Sequence, residues 1–99
     1  MDPVKLPAFL LNRREEVLEL AARHGATNVR IFGSLARGEA RSDSDVDILV
    51  SMTPGRSYFD FVALWQDLEE LLGRKVDVVS DRGMSPYLRD RILSEARSL

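Results

Sequence analysis

The sequence predicts a layered α/β domain, and three observations carry that expectation. Runs rich in β-branched residues at 28–32, 45–52 and 75–80 read as strands. A stretch between them places Phe61, Leu64, Trp65, Leu68, Leu71 and Leu72 at helical spacing. The two kinds of segment alternate in the order α-β-α-β-α-β-α, the pattern of helices layered on a sheet. All 99 residues are expected to form one domain, 1–99, at the small end of the usual range.

The first helix is expected over 8–24. Pro3 and Pro7 delay its start, Leu10, Val17, Leu18 and Ala21 share a face, and Gly25 stands where a left-handed C-cap belongs. Arg13, Arg14, Glu15 and Glu16 form a solvated charge run. His24, the one histidine, falls in the last turn, where a cap interaction is expected and a metal or acid–base role is not. The strand at 28–32 then runs into Gly33, with Ser34 as N-cap of a short helix starting at Leu35.

A polar loop over 39–44, ordered by Ser44, leads into the second strand at 45–52, whose Val-x-Ile-Leu-Val character suits a covered central position. Residues 53–57 turn the chain by composition, and Gly73 closes the long helix that follows, in which Trp65 and the Phe residues read as core. On the third strand, 75–80, Val76 and Val78 face one way and Asp77 and Val79 the other. Residues 81–83 turn again. Ser85-Pro86 opens the last helix with serine at the cap and proline at the first helical position. Leu88, Ile92, Ala96 and Leu99 are expected as its buried stripe.

The chemistry concentrates in residues 31–50. A strand, a Gly33-Ser34 turn and a helix start leave unpaired backbone amides facing one spot, which suits an anion. Ten residues separate Ser34 from Asp45, where the chain re-enters a strand, with Asp47 two residues on, so both carboxylates project from one side. Two like charges side by side repel, and a divalent cation is the usual reason to keep them there. A phosphate cradle opposite paired carboxylates is what metal-dependent chemistry on a nucleoside triphosphate needs. Backbone amides and Ser34 would hold phosphates, and Asp45 and Asp47 would hold Mg²⁺. Either half alone favours the plainer reading, an ordinary turn or a hydrated strand end; the two in order favour the site. Asp77 needs a partner or an open site, and by position it is a solvated edge residue or a third carboxylate. Arg37, one turn beyond Ser34, is either a surface arginine or a triphosphate contact. Gly38 either frees the loop or ends the helix.

Composition narrows the classes. With 44% hydrophobic and 30% charged residues the chain reads as ordinary globular protein. A net charge of −2 gives no basic surplus, so stable nucleic-acid binding is not expected. There is no cysteine, hence no disulfide, thiolate metal site or cysteine nucleophile. No apolar run approaches the ~20 residues of a membrane span. The first seven residues lack the basic-then-apolar order of a signal peptide, so a cytoplasmic protein is expected.

Gly33-Ser34-Leu35-Ala36-Arg37-Gly38 with Ser44-Asp45-Val46-Asp47-Ile48-Leu49-Val50 resembles the signature of the DNA polymerase β-type nucleotidyltransferases, and within them the minimal nucleotidyltransferase branch. Residues 68–79 and the closing helix also look like that branch; the first thirty residues add little. The resemblance implies a mixed three-stranded sheet flanked by helices. It implies Asp45, Asp47 and Asp77 as catalytic, Mg²⁺-ligating carboxylates, with Asp77 helping to deprotonate the attacking hydroxyl. Gly33, Ser34 and Arg37 would bind the nucleotide. The implied reaction is attack of a hydroxyl on the α-phosphorus of a nucleoside triphosphate, releasing pyrophosphate. Members of this branch are commonly antitoxins paired with HEPN ribonucleases, so a HEPN-type toxin partner is expected, with AMP transferred from ATP. Two other readings stand beside it: a non-catalytic antitoxin that masks its toxin, and a small-molecule transferase of the aminoglycoside type. A chain this short also leaves a sheet edge and apolar helix surface poorly covered, so a homodimer or hetero-oligomer is expected.

Overall fold

A computed structural model describes residues 6–41 and 43–99. Pro3, expected to delay the first helix, and Ser42 of the polar loop lie outside the described residues. The elements run α1 (Ala8–Leu11), α2 (Arg14–Arg23), β1 (Ala26–Phe32), α3 (Ser34–Arg37), β2 (Val46–Met52), α4 (Tyr58–Leu72), β3 (Val76–Ser80), a 3-10 turn (Asp81–Gly83), α5 (Pro86–Glu95) and β4 (Arg97–Ser98).

The sheet is mixed, in the order β3-β2-β1-β4. β2 pairs antiparallel with β1 and parallel with β3, the parallel step being bridged by α4. Val46, Ile48 and Val50 of β2 are fully buried, as a covered central strand requires. They meet Val76 and Val78 of β3, Ile31 of β1, and the α2 and α4 side chains Val17, Leu64 and Leu68 in one core. Trp65 anchors α4 to the sheet by donating its indole N–H to the Val76 carbonyl at 2.6 Å. Gly73 closes that helix in the left-handed conformation at φ 62°. Ser85 caps α5, its hydroxyl accepting from the Tyr87 amide, with Pro86 at the first helical position.

Several expectations need correction. The first helix is broken at Asn12-Arg13: residues 11 to 16 are all exposed, so no buried side chain holds that turn against the sheet. The last helix ends at Glu95, and Ala96 is extended. Residues 97–98 instead form β4, which pairs with Arg30 and Ile31 and gives the expected three strands a short fourth. Of the anticipated α5 stripe only Ile92 is buried within the helix; Leu88 is 51% exposed, and Leu99 is buried from beyond β4, its amide donating to the Val29 carbonyl. Phe59 is 84% exposed and is not core. Together with Tyr58 and Tyr87 it leaves apolar helix surface uncovered, as the chain length suggested. His24 is the C-cap residue of α2, but its ring bonds the Asp67 carboxylate of α4 at 2.7 Å and so ties the two helices together.

Candidate active site

On the second face of the sheet, away from the main core, β1 and β2 pair Phe32 with Asp47, and β2 and β3 pair Asp47 with Asp77. Directly paired residues point to the same side, so the two acids stand abreast. Gly33 follows Phe32 and is thereby laid against the Asp47 side chain. Its backbone, φ 74° and ψ −151°, is a conformation open in practice only to glycine. A Cβ built on it would collide with the Asp47 carboxylate, so the turn and the acid share one space that a side chain would fill.

Gly33, not Ser34, is the N-cap of α3. The expected Ser34 cap is therefore not formed: the turn takes one residue fewer, because glycine's left-handed φ bends the chain directly into the helix. Gly38 ends α3 as a left-handed C-cap at φ 76°. Ser44 orders the following loop, its hydroxyl accepting from the Arg41 amide at 2.7 Å.

Gly33, Ser34, Arg37 and Asp47 line one open cleft of about 370 Å³, whose far wall is Leu88, Arg91, Ile92 and Glu95 of α5. Asp45 and Asp77 lie beside this cleft and do not line it. Asp45 is exposed at the mouth of β2, with the Lys75 ammonium 3.9 Å away. Asp77 is exposed on β3. The acids nevertheless feel one another. Burial first, then the charges of Asp77 and Asp45, push the Asp47 carboxyl up to about 6, against the pull of Arg37. Arg37 is already engaged: Glu39 accepts from its Nε at 3.1 Å and Glu95 from its Nη1 at 3.1 Å.

Hard carboxylate oxygens are the donors that Mg²⁺ takes, and a cation is what would relieve the repulsion at Asp47. The residues thus fit the metal in kind. In the present rotamers no three His, Cys, Asp or Glu side chains among the described residues close around a common point. Asp45 and Asp77 have to turn toward Asp47 to do so.

Glu95 escaped the sequence reading. It lies 62 residues from Gly33, beyond the reach of local spacing, yet its carboxylate accepts the Gly33 amide at 3.0 Å. One signal was available: a carboxylate in the last turn of a helix faces the negative end of the dipole, so a distant cation or donor is needed to keep it there.

With this geometry in hand, the family model of the nucleotidyltransferase domain matches residues 13–99. The chain belongs to the nucleotidyltransferase family. It is an α/β nucleotidyltransferase enzyme, and the resemblance carried by the Gly-Ser and Asp-x-Asp residues holds. It is 42% identical over 77 residues to a protein adenylyltransferase, MntA, of Thermococcus cleftensis, an alignment covering 78% of each chain. Among solved structures it is similar to one of a proposed minimal nucleotidyltransferase, with a TM-score of 0.83 and 57% identity, covering 91% of this chain and 92% of that one. A toxin–antitoxin structure with AMP-PNP shares the fold of this nucleotidyltransferase at a TM-score of 0.73 and 23% identity, covering 85% of this chain and 69% of that one.

Proposed function

We propose that residues 1–99 act as a single catalytic domain that transfers AMP from ATP to a hydroxyl of a partner toxin of the HEPN type, and so serve as its antitoxin in the cytoplasm. The observation that carries this reading is the fit of Gly33 against Asp47, with Asp77 abreast of it in the sheet. A phosphate-binding turn is thereby set facing a carboxylate pair. The Gly33 and Ser34 segment and the Arg37 guanidinium would hold the triphosphate, and Asp45, Asp47 and Asp77 would hold Mg²⁺. When bound, the metal supplies charge neutralisation on the phosphates. The partner's hydroxyl oxygen forms a bond to the α-phosphorus, the bond to the bridging oxygen of pyrophosphate breaks, and Asp77 takes the hydroxyl proton. Positioning and charge do the remaining work.

The name of the Thermococcus relative, a protein adenylyltransferase, supports AMP as the group moved and protein as the acceptor. The toxin–antitoxin neighbour with AMP-PNP supports both the nucleotide and the partner class. Exposed Tyr58, Phe59 and Tyr87 leave surface for a partner chain.

The test is intact-mass analysis of the toxin encoded beside this chain after incubation with this protein, ATP and Mg²⁺. A mass gain of one AMP or a small multiple is expected. An unchanged toxin in a tight complex would replace the reading with neutralisation by masking alone.

A further inference from the structure

The donors assigned to the triphosphate are not empty-handed. The Glu95 carboxylate accepts the Gly33 amide at 3.0 Å and the Arg37 guanidinium at 3.1 and 3.3 Å, with its side chain only 19% exposed. A carboxylate offers the same planar, anionic oxygens that a phosphate presents to an amide and a guanidinium. We propose that Glu95 fills the anion cradle of the nucleotide-free protein and that a triphosphate must displace it, which couples nucleotide occupancy to the position of α5 and β4. This inference rests on the nucleotide reading above.

The two donors differ in what they can share. A guanidinium carries five N–H groups; Glu39 and Glu95 engage Nε and Nη1 of Arg37, so phosphate and carboxylate can both sit on it. The Gly33 amide has one hydrogen and can serve only one anion at a time. Glu95 must yield there.

The segment carrying Glu95 is built to yield. Ile92 is the single buried side chain of α5, while Tyr87 and Leu88 are 94% and 51% exposed. Beyond Glu95 the chain is held by the two-residue strand β4, the Leu99 side chain buried in the core, the Leu99 amide on Val29, and the Leu99 carbonyl taking a hydrogen bond from Arg14. Few buried contacts and short pairing put such a segment at the low end of local stability. The helix dipole adds to this, since its negative end repels the Glu95 charge once the Gly33 amide no longer balances it. A nucleotide entering the cleft therefore frees the same exposed helix that walls it, and α5 reports whether the site is loaded.

The test compares wild type with Glu95→Ala and Glu95→Gln, binding a non-hydrolysable ATP analogue with Mg²⁺, and separately inorganic tripolyphosphate, by calorimetry. Hydrogen exchange of the α5 amides is followed alongside. Glu95→Ala is expected to bind both ligands about tenfold tighter, equivalent to about 1.4 kcal/mol. Glu95→Gln keeps the side chain's length and is expected to tighten binding roughly threefold, in the range of one exposed ion pair. In wild type, α5 exchange rises when either ligand is added. Equal or weaker analogue binding by both variants overturns the proposal and leaves the nucleotide reading standing. Tighter tripolyphosphate binding with no analogue binding supports Glu95 as the occupant and overturns the nucleotide reading. Binding of neither ligand by any of the three proteins overturns both.

Discussion

Replacing Asp47 with asparagine should stabilise the metal-free protein while destroying its site. The Asp47 carboxyl is raised from an ordinary 3.8 to about 6, chiefly by burial and then by Asp77 and Asp45. Two units at 1.36 kcal/mol each give a ceiling of about 3 kcal/mol on the cost of keeping it charged in the folded state. Asp47 is only part-buried, so solvent screening cuts that to about 1–2 kcal/mol. The sign follows from proton counting. Between about pH 4 and 6 the folded chain keeps a proton on Asp47 that the unfolded chain has released, so this group lowers stability as pH rises through that window, and the loss is complete above it.

Asparagine carries no such charge. In chelator at pH 7.5, Asp47→Asn should unfold roughly 5–10 °C higher than wild type, since about 1 kcal/mol moves a domain of this size by ~4–8 °C. The gap should close toward pH 4. Thermal and urea unfolding of both proteins at several pH values measures it, and the difference between them removes the carboxylates they share. Adding Mg²⁺ should then raise the wild type alone, by about 2.7 kcal/mol at a hundred times its dissociation constant. An Asp47→Asn protein no more stable than wild type at pH 7.5, or a gap that persists at pH 4, would refute the reasoning.

Asp45→Asn, Asp47→Asn and Asp77→Asn should each lower AMP transfer by on the order of 10²–10³-fold, read by the mass of the partner or release of pyrophosphate from ATP. Gly33→Ala forces a Cβ into the Asp47 carboxylate at a positive φ; about 1–3 kcal/mol of stability should be lost, and denaturant unfolding measures it. Trp65→Phe keeps the ring but strands the Val76 carbonyl that the indole N–H holds, so a loss of about 1–2 kcal/mol is expected without any change in nucleotide affinity.

The parts of the site that local geometry governs were legible. Gly33 could be read from a strand running into a Gly-Ser turn, and Asp47 with Asp45 from the two-residue period of a strand. Asp77 was harder, since its meaning depends on β3 lying beside β2 in parallel register, which no periodicity within 75–80 states. The resemblance supplied that, and the register agrees with it. Ser34 misled for a specific reason: a serine before a helix is usually its cap, but glycine at φ 74° takes that position first. β4 was missed because two residues are too few to show a period and sit beyond a helix whose apolar spacing continues through Ala96 and Leu99. Glu95 was invisible because nothing local marks a carboxylate destined for an amide 62 residues away.

β3 lies at one end of the described sheet, with one side paired to β2 and the other bordered by no strand, although Trp65 and Glu69 of α4 take the Val76 carbonyl and amide. A bare strand border invites another chain to add to it, and a charge along such a border discourages this. Asp77, exposed as the second residue of that strand, is thus a guard against sticking, apart from the catalytic part proposed for it. Neutralising it risks clumping along with inactivity, so the Asp77→Asn protein should be weighed by light scattering before its idle site is blamed on chemistry.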